Sequence, residues 1–287
     1  MIHTSRTQLL LATIVAVAIG AAGCSSDSSS PEPLRILVTN DDGVGAPGID
    51  ALVEALLENP DNVVVVSAPA ENQSGKGDQT TPTPPPLQAS QTTTASGYPA
   101  TAVDGFPADS VIYGLENLYT DEPLPHVVLS GINEGQNVGN VAGALSQLSG
   151  TVGAAKTAAC LGIPALASSQ GDPEDKQDEE NWNYPSGVDE VLTWLEANRG
   201  ALLAGTVSLE NITSINIPTC NAGEIRGRAE VPLATQIPDY IKGLLDPQDC
   251  ESTREDPQDD AEAFFNGFVS ITPVPSNSSG TCDSLSN

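Results

Sequence analysis

The chain has 287 residues and a formal net charge of −28, with 38 Asp and Glu against 10 Lys and Arg. This charge excludes a nucleic acid polymer as partner, because the sequence offers no basic patch to neutralise a phosphate backbone. The length is sufficient for one large domain with a sizeable core.

The N-terminal residues have the features of an export signal. Arg6 precedes an apolar run, Leu9 to Gly23, that is short for a membrane span and ends in small residues before Cys24. This ending resembles a bacterial lipobox, in which the chain is cut before a cysteine that carries lipid. We therefore predict a lipoprotein signal peptide over residues 1–23 and lipidation of Cys24. An ordinary cleaved signal with an incidental Cys24 is the alternative.

Both alternatives predict export, and a lipid at Cys24 would be the only membrane contact, with the protein in the periplasm or on the cell surface. Residues 24–33 are rich in Ser and Pro and suit a flexible tether. Leu34 to Thr39 is a short apolar run that predicts a buried strand. A glycine-rich turn follows it, and then a helical pattern over Pro47 to Leu57.

Further apolar runs predict strands at Val63–Ser67, Val127–Ser130, Ala165–Ser168, Ile212–Ile217 and Gly267–Thr272. Helical patterns predict helices at Thr151–Leu161 and Val188–Asn198. Three stretches interrupt the alternation of strand and helix patterns. They are a Pro/Thr/Ser-rich loop or extended excursion at 79–97, an acidic loop at 171–184 and an exposed acidic stretch at 246–260. Strands that are apolar on both faces and alternate with helices are typical of a parallel sheet covered on both sides. The predicted fold class is therefore α/β with a doubly wound, mostly parallel sheet.

The turn after the first predicted strand is the most informative stretch. It contains Asn40, Asp41 and Asp42, and its glycines happen to spell GxGxxG. A dinucleotide site is rejected, because two adjacent carboxylates would repel a pyrophosphate and the second strand ends in Ser67 rather than in an acidic residue. A hard divalent cation fits better, since Mg²⁺ and Mn²⁺ prefer oxygen ligands. A plain turn with an Asp cap is the structural alternative, and the turn by itself does not decide between the two.

Other phosphatase chemistries lack their essential residues. After the leader the only histidine is His126, which lies beside a strand start and which we interpret as structural. A single histidine excludes the phosphatases that need several. The turn lacks a DxD arrangement, and no GxSxG motif is present. The phosphatase chemistry that remains is one that uses a single hard metal ion bound by carboxylate and amide oxygens.

Four cysteines follow Cys24, namely Cys160, Cys220, Cys250 and Cys282. Their spacing does not match a metal site, and an even number in an exported protein favours disulfides, whose pairing the sequence leaves open. A buried, unpaired Cys160 is the alternative at that position.

Four separated segments together resemble the SurE (survival protein E) family. They are LRILVTNDDGVGAPGI at 34–49, APAENQSGKG at 68–77, VDGFPADSVIYG at 103–114, and HVVLSGINEGQNVG at 126–139 with LSGTVGAAKTAACLGIPALASS at 148–169. Weaker similarity continues in INIP at 215–218 and in DAEAFFNGFVSITP at 260–273. The order and spacing of these segments make the resemblance specific, although each motif by itself is modest.

The resemblance implies a Rossmann-like domain over residues 34–287, with a C-terminal extension from about residue 219 used for a homodimer or tetramer. It implies a metal-dependent phosphomonoesterase that hydrolyses nucleoside monophosphates, a 5′/3′-nucleotidase. Carried over by position, the ligands of one divalent cation, Mg²⁺ or Mn²⁺, would be Asp41, Asp42, Ser74 and Asn133. The Asp pair would also be catalytic, with Asp41 as nucleophile or as base for a water molecule.

The substrate and its phosphate would be bound by a second group of residues: Asn40, Gly43, Asn137, Ser149, Gly150 and Thr151. Ser149 to Thr151 open a helix, whose free N–H groups favour an anion, and Ser149 can also serve as an N-cap.

The sequence departs from the family beside the expected pocket, with a longer loop between Gly139 and Ser149 and with Leu148 in place of a common tyrosine. Lys76 also replaces a smaller residue; we expect it to be exposed, with a phosphate contact as the less favoured alternative. The alternatives to a nucleotidase are a broad-specificity acid phosphatase or polyphosphatase acting on another small phosphate ester, and a non-catalytic surface lipoprotein that binds nucleotide.

Overall fold

The structure is a computed structural model that describes residues 1, 32–82, 85–139, 148–178, 181–236, 239, 247–278 and 280–285. Residues 2–23 of the predicted signal peptide, Cys24 and most of the predicted tether lie outside the described residues, as do residues 140–147 of the longer loop. Residues from Glu32 onward form one compact unit. Within the described ranges, no helix is long and apolar enough to cross a membrane.

Strands and helices alternate through most of the described chain. The strands are β1 (Leu34–Thr39), β2 (Asn62–Pro69), β3 (Gln88–Thr93), β4 (Pro99–Asp104), β5 (Val127–Glu134), β6 (Ala165–Gln170), β7 (Asn211–Ile217), β8 (Arg228–Glu230) and β9 (Val269–Pro275). The helices are α1 (Pro47–Leu57), α2 (Pro107–Asn117), α3 (Gly150–Cys160), α4 (Tyr184–Leu203), α5 (Asp260–Phe265) and α6 (Thr281–Leu285).

The strands form a single sheet in the order β3-β4-β2-β1-β5-β6-β7-β9-β8. The pairings from β4 through β7 are parallel, whereas β3 and β9 run antiparallel to β4 and β7. The predicted α/β class with a mostly parallel sheet is confirmed. The chain moves outward from β1 to one side through β2 and β4, and to the other side from β5. The carboxyl ends of β1 and β5 therefore meet at the point where the strand order reverses, which is where open α/β sheets bind ligands.

Both faces of the sheet are covered, as the apolar strands predict. In β1, Ile36 and Val38 pack into one core cluster with residues of α1 and α4. Leu37, between them, packs into a second cluster on the opposite face with residues of α2 and α3. Alternation along a strand sends consecutive side chains to opposite faces, so a strand buried on both sides must be apolar throughout.

The structure adds elements that the apolar pattern does not predict. β3 lies within the predicted loop 79–97, and its mostly exposed polar residues pair with β4 at the edge of the sheet. The acidic stretch 246–260 is exposed at most of its described positions, but Gln248, Cys250 and Asp260 within it are buried. An edge strand and a disulfide-anchored loop need no continuous apolar face, which is why hydrophobic periodicity gives no sign of them.

Two disulfides pair the four cysteines that follow Cys24. Cys160 at the end of α3 pairs with Cys282 in α6, with Cα atoms 4.9 Å apart. Cys220 pairs with Cys250, with Cα atoms 5.7 Å apart. The prediction of disulfides is confirmed, and an unpaired Cys160 is ruled out. The first bridge attaches the C-terminal helix to α3, whose N-terminus carries three of the predicted site residues.

Candidate active site

The acidic turn is fixed by the side chain of its first residue. Asn40 is fully buried, donates from Nδ2 to the carbonyl oxygen of Gly43 at 2.8 Å, and accepts from the Gly43 N–H at 3.2 Å. Gly43 has φ of +106°, a conformation that strains residues with a Cβ. Asn40 and Gly43 thus hold the turn that presents Asp41 and Asp42, and neither lines the cavity that opens beside Asp41.

Asp41 lies against the N-terminus of α3. Its side chain is almost fully buried, and its Oδ1 accepts a 2.6 Å hydrogen bond from the hydroxyl of Thr151. The backbone N–H groups of Gly150 and Thr151 also face this carboxylate and partly oppose the rise in its pKa that burial causes. A Cβ atom at position 150 would lie 2.6 Å from Cβ of Asp41, so only glycine permits this approach.

Asp42 is held by two neighbouring segments. Its Oδ2 accepts from the backbone N–H of Glu134 at 3.0 Å, and its Oδ1 accepts from the amide of Asn72 at 3.3 Å. The Asn72 side chain also accepts from the backbone N–H of Ser74 at 2.9 Å. Asn72 therefore connects one predicted metal ligand with the segment that carries another, a role that the sequence interpretation missed.

The pKa values of both carboxyl groups are raised. Burial raises the pKa of Asp41 despite its hydrogen bonds. Burial, together with the neighbouring charge of Asp41, raises the pKa of Asp42 to about 8. Two carboxylates placed so closely in a poorly solvated turn favour either protons or a cation between them.

A cavity of about 290 Å³ opens beside Asp41. Its walls include five of the predicted site residues, namely Asp41, Ser74, Asn133, Asn137 and Ser149, together with Gln136, Leu148, Asp172 and Lys176. Thr151 and Gly150 contact Asp41 instead of lining the cavity, and Asp42 is not one of the lining residues. The fold therefore brings the ends of β1, β2 and β5 and the N-terminus of α3 together around this cavity.

Two amide side chains of the β5 segment are oriented by hydrogen bonds. Asn133 donates from Nδ2 to the carbonyl oxygen of Gly135 at 2.6 Å, which fixes the orientation of its amide oxygen. Asn137 donates from Nδ2 to the hydroxyl of Ser169 at 2.9 Å, and its backbone N–H donates to Oδ1 of Asn216 at 2.6 Å. Asn216, on β7, is another residue whose contribution the sequence interpretation missed.

Ser149 caps α3, because its hydroxyl accepts from the backbone N–H of Val152 at 3.1 Å. The same residue lines the cavity, so the cap and a contact with a ligand are compatible. Lys76 is only partly exposed, and its ammonium group lies 5.6 Å from the ring centroid of Phe106. It is not one of the residues that line the cavity.

The residues present fit a hard divalent cation. In the described part of the chain, no group of three or more His, Cys, Asp or Glu side chains could hold a metal ion. With two carboxylates at the turn, the remaining ligands must be neutral oxygens, and the Ser74 hydroxyl and the Asn133 amide line the same cavity as Asp41. This donor set suits Mg²⁺ or Mn²⁺ rather than a soft metal. The raised pKa of Asp42 points in the same direction, because a cation would offset the charge of Asp41 that contributes to it.

Comparison with known proteins decides the family. The family described as "Survival protein SurE" matches residues 36–238. The chain belongs to the SurE family. A protein of Methanopyrus kandleri named "5'-nucleotidase SurE" is 35% identical over 269 residues, covering 88% of this chain and 96% of its own length. A protein of the same name from Hyphomonas neptunium is 30% identical over 252 residues, covering 84% and 92%.

A solved structure extends the similarity to the fold. The SurE protein of Aquifex aeolicus superposes with a TM-score of 0.62 at 29% sequence identity, covering 88% of this chain and 97% of its own. The similarity therefore covers most of the chain and is not restricted to the motif segments.

Proposed function

We propose that this SurE protein is a metal-dependent phosphomonoesterase that hydrolyses nucleoside monophosphates to nucleoside and phosphate. Membership of the family, and relatives named 5′-nucleotidase that match most of the chain, support a hydrolase acting on phosphomonoesters. The observation that carries the proposal is the paired Asp41 and Asp42 beside a cavity that also contains Ser74 and Asn133.

In this proposal Asp41, Asp42, Ser74 and Asn133 hold one divalent cation, Mg²⁺ or Mn²⁺. When bound, such a cation stabilises negative charge on phosphoryl oxygens by acting as a Lewis acid. Asp41 lines the cavity and acts as nucleophile or as base for a water molecule, whereas Asp42 does not line it and is held by hydrogen bonds from Glu134 and Asn72.

Asn137 and Ser149 are proposed to bind the substrate, because both line the cavity and both are held in place by hydrogen bonds. Gly150 and Thr151 support the phosphate site less directly. Their N–H groups face Asp41, so their contribution is to orient that carboxylate at the positive end of α3. Asn40 and Gly43 contribute by shaping the turn.

Phosphate release from 5′-AMP by residues 24–287 tests the function, measured with Mn²⁺, with Mg²⁺ and with EDTA. We expect metal-dependent turnover that Asp41→Asn abolishes, whereas Asp121→Asn, an exposed acidic position elsewhere, leaves it unchanged. A panel of 3′-AMP, an aryl phosphate and tripolyphosphate separates a nucleotidase from a broad-specificity phosphatase. Tight AMP binding without turnover of any of these substrates would favour a non-catalytic nucleotide-binding lipoprotein.

Export and anchoring at Cys24 are part of the same proposal. They are supported by the lipobox-like ending of the leader and by the two disulfides, since structural disulfides occur mainly in oxidising compartments. Metabolic labelling with a fatty acid tests the anchor, because label in the full chain and none in Cys24→Ala is the expected result. A homodimer or tetramer, as the family resemblance implies, is tested by light scattering after size-exclusion chromatography.

A further inference from the structure

The cavity is strongly acidic for a site that has to accept a phosphate ester. Its described lining includes the carboxylates of Asp41, Glu134 and Asp172. The chain as a whole carries a formal net charge of −28. A divalent cation at the Asp41–Asp42 turn would offset only the charge of that pair. The approach of a phosphate dianion therefore requires positive charge from another part of the wall.

Lys176 is the one positively charged side chain among the described residues that line this cavity. Its Nζ forms a 2.5 Å ion pair with Oδ2 of Asp172, and about half of its side chain remains accessible to solvent. It lies in the acidic loop between β6 and α4, a segment outside every motif that carries the family resemblance. Nothing in the local sequence distinguishes it from a surface lysine.

The position of Lys176 is fixed through its partner. The backbone N–H of Asp172 donates to Oε1 of Gln136 at 3.0 Å, and the carbonyl oxygen of Asp172 accepts from Gln248 at 3.4 Å. Asp172 is itself largely buried. The loop is therefore anchored at the point where the ion pair forms, and the ion pair places the ammonium group of Lys176 at the cavity wall.

We propose that Lys176 is a substrate-binding residue whose ammonium group recognises the phosphoryl group of the ester. The inference rests on the proposed phosphomonoesterase function and adds to it the residue that offsets the negative field of the cavity. Lysine acts as a point charge on a long stem, so it can exchange part of its contact with Asp172 for a phosphate oxygen. Because this contact is made with bound substrate, its loss should affect KM more than kcat.

The test compares Lys176→Met and Lys176→Arg with Lys76→Met, in the full-length chain solubilised in detergent. Lys76 is the matched control, since it lies over Phe106 and does not line the cavity. For Lys176→Met we expect a KM about 10-fold higher for both AMP and an aryl phosphate, with kcat changed less than about 3-fold. Lys176→Arg should recover most of the loss, and the salt dependence of KM should weaken in Lys176→Met.

Binding of inorganic phosphate to the Mn²⁺-loaded protein, measured by calorimetry, gives a readout that does not depend on turnover. Weaker phosphate binding in Lys176→Met, with unchanged binding in Lys76→Met, supports the inference. An unchanged KM and unchanged phosphate binding would overturn it, as would a KM increase for AMP but not for the aryl phosphate. If the unmodified chain released no phosphate from any ester, the proposed function would fail, while the calorimetric comparison would still decide the role of Lys176.

Discussion

The hydroxyl of Thr151 donates a 2.6 Å hydrogen bond to Oδ1 of Asp41, which joins two residues 110 positions apart in the chain. The sequence places one of them in a metal-binding turn and the other in a phosphate loop. In the structure they form one unit at the N-terminus of α3. Asp41 is therefore oriented by a helix that follows it in the chain only after four further strands.

Replacing Thr151 by Val should remove this bond with little change of shape. We expect kcat for AMP to fall about 10-fold, which corresponds to roughly 1.4 kcal/mol of transition-state stabilisation. Thr151→Ser retains the hydroxyl and should keep most of the activity. Equal kcat values in the Val variant and the unmodified protein would show that Asp41 is oriented by the backbone N–H groups of α3 without this bond.

A bound divalent cation should stabilise the folded protein. At a free Mn²⁺ concentration 100 times its Kd, linkage adds about 2.7 kcal/mol, which raises Tm by about 5–10 °C in a chain of this size. Scanning calorimetry with Mn²⁺ and with EDTA measures the shift. Asp41→Asn and Asp42→Asn should lose it, and the exposed control Asp121→Asn should keep it. A full shift in both turn variants would place the metal ion elsewhere.

Asn216 should influence substrate binding without touching the cavity. Its Oδ1 accepts from the backbone N–H of Asn137 at 2.6 Å, and a buried N–H left without this acceptor costs about 1–3 kcal/mol. We expect Asn216→Leu to raise KM for AMP several-fold through displacement of Asn137, which loses both this acceptor and the Nδ2 donor that contacts its carbonyl oxygen at 3.4 Å. Circular dichroism and Tm show whether the variant folds, and an unchanged KM for AMP in a folded Leu variant would contradict this role.

His126 should make folding stability depend on pH. Its Nδ1 accepts from the backbone N–H of Arg35 at 3.0 Å, and burial together with the Arg35 charge lowers the pKa of the ring. A group with a lowered pKa contributes stability that is present above its unfolded pKa of about 6.5 and is lost as the pH falls through its folded value.

Urea unfolding at pH 8 and at pH 5.5 checks this for residues 24–287, in which His126 is the only histidine. His126→Asn keeps an acceptor but does not titrate, so the unmodified protein should lose more stability than the variant between the two pH values. Buried carboxyl groups with raised pKa values, such as Asp260, contribute stability that is lost as the pH rises, which is opposite to the contribution of His126. Because both proteins contain these carboxyl groups, their contribution cancels in the comparison. An identical pH dependence in the two proteins would show that His126 does not contribute.

The two disulfides should contribute unequally to stability. The Cys160–Cys282 bridge spans 122 residues and the Cys220–Cys250 bridge spans 30. In the loop-entropy account the longer loop contributes about 1 kcal/mol more. Paired Cys→Ala replacement of the first bridge should therefore lower the free energy of unfolding more than replacement of the second, as measured by urea denaturation without reductant. The reverse order would indicate that local strain or structure in the unfolded chain outweighs loop length.

Local sequence patterns are sufficient to predict the central strands of the sheet and the acidic turn. Strand β1 and helix α1 have their predicted bounds, because an apolar run buried on both faces and an amphipathic helix are encoded by neighbouring residues. Asp41 and Asp42 are consecutive residues after a predicted strand, so their proximity can also be predicted from the local sequence. Edge strand β3 has no comparable pattern, since its polar residues are ordered by pairing with β4.

Only the tertiary structure decides what surrounds Asp41. Thr151 meets it from 110 residues away, Asn216 supports Asn137 from 79 residues away, and Lys176 reaches the same cavity from a loop with no motif. The cysteine pairing is of the same kind, since four cysteines permit three pairings and the chain path selects one. Contacts of this kind arise from how the strands are ordered in the sheet, and the spacing of residues along the chain does not by itself specify that order.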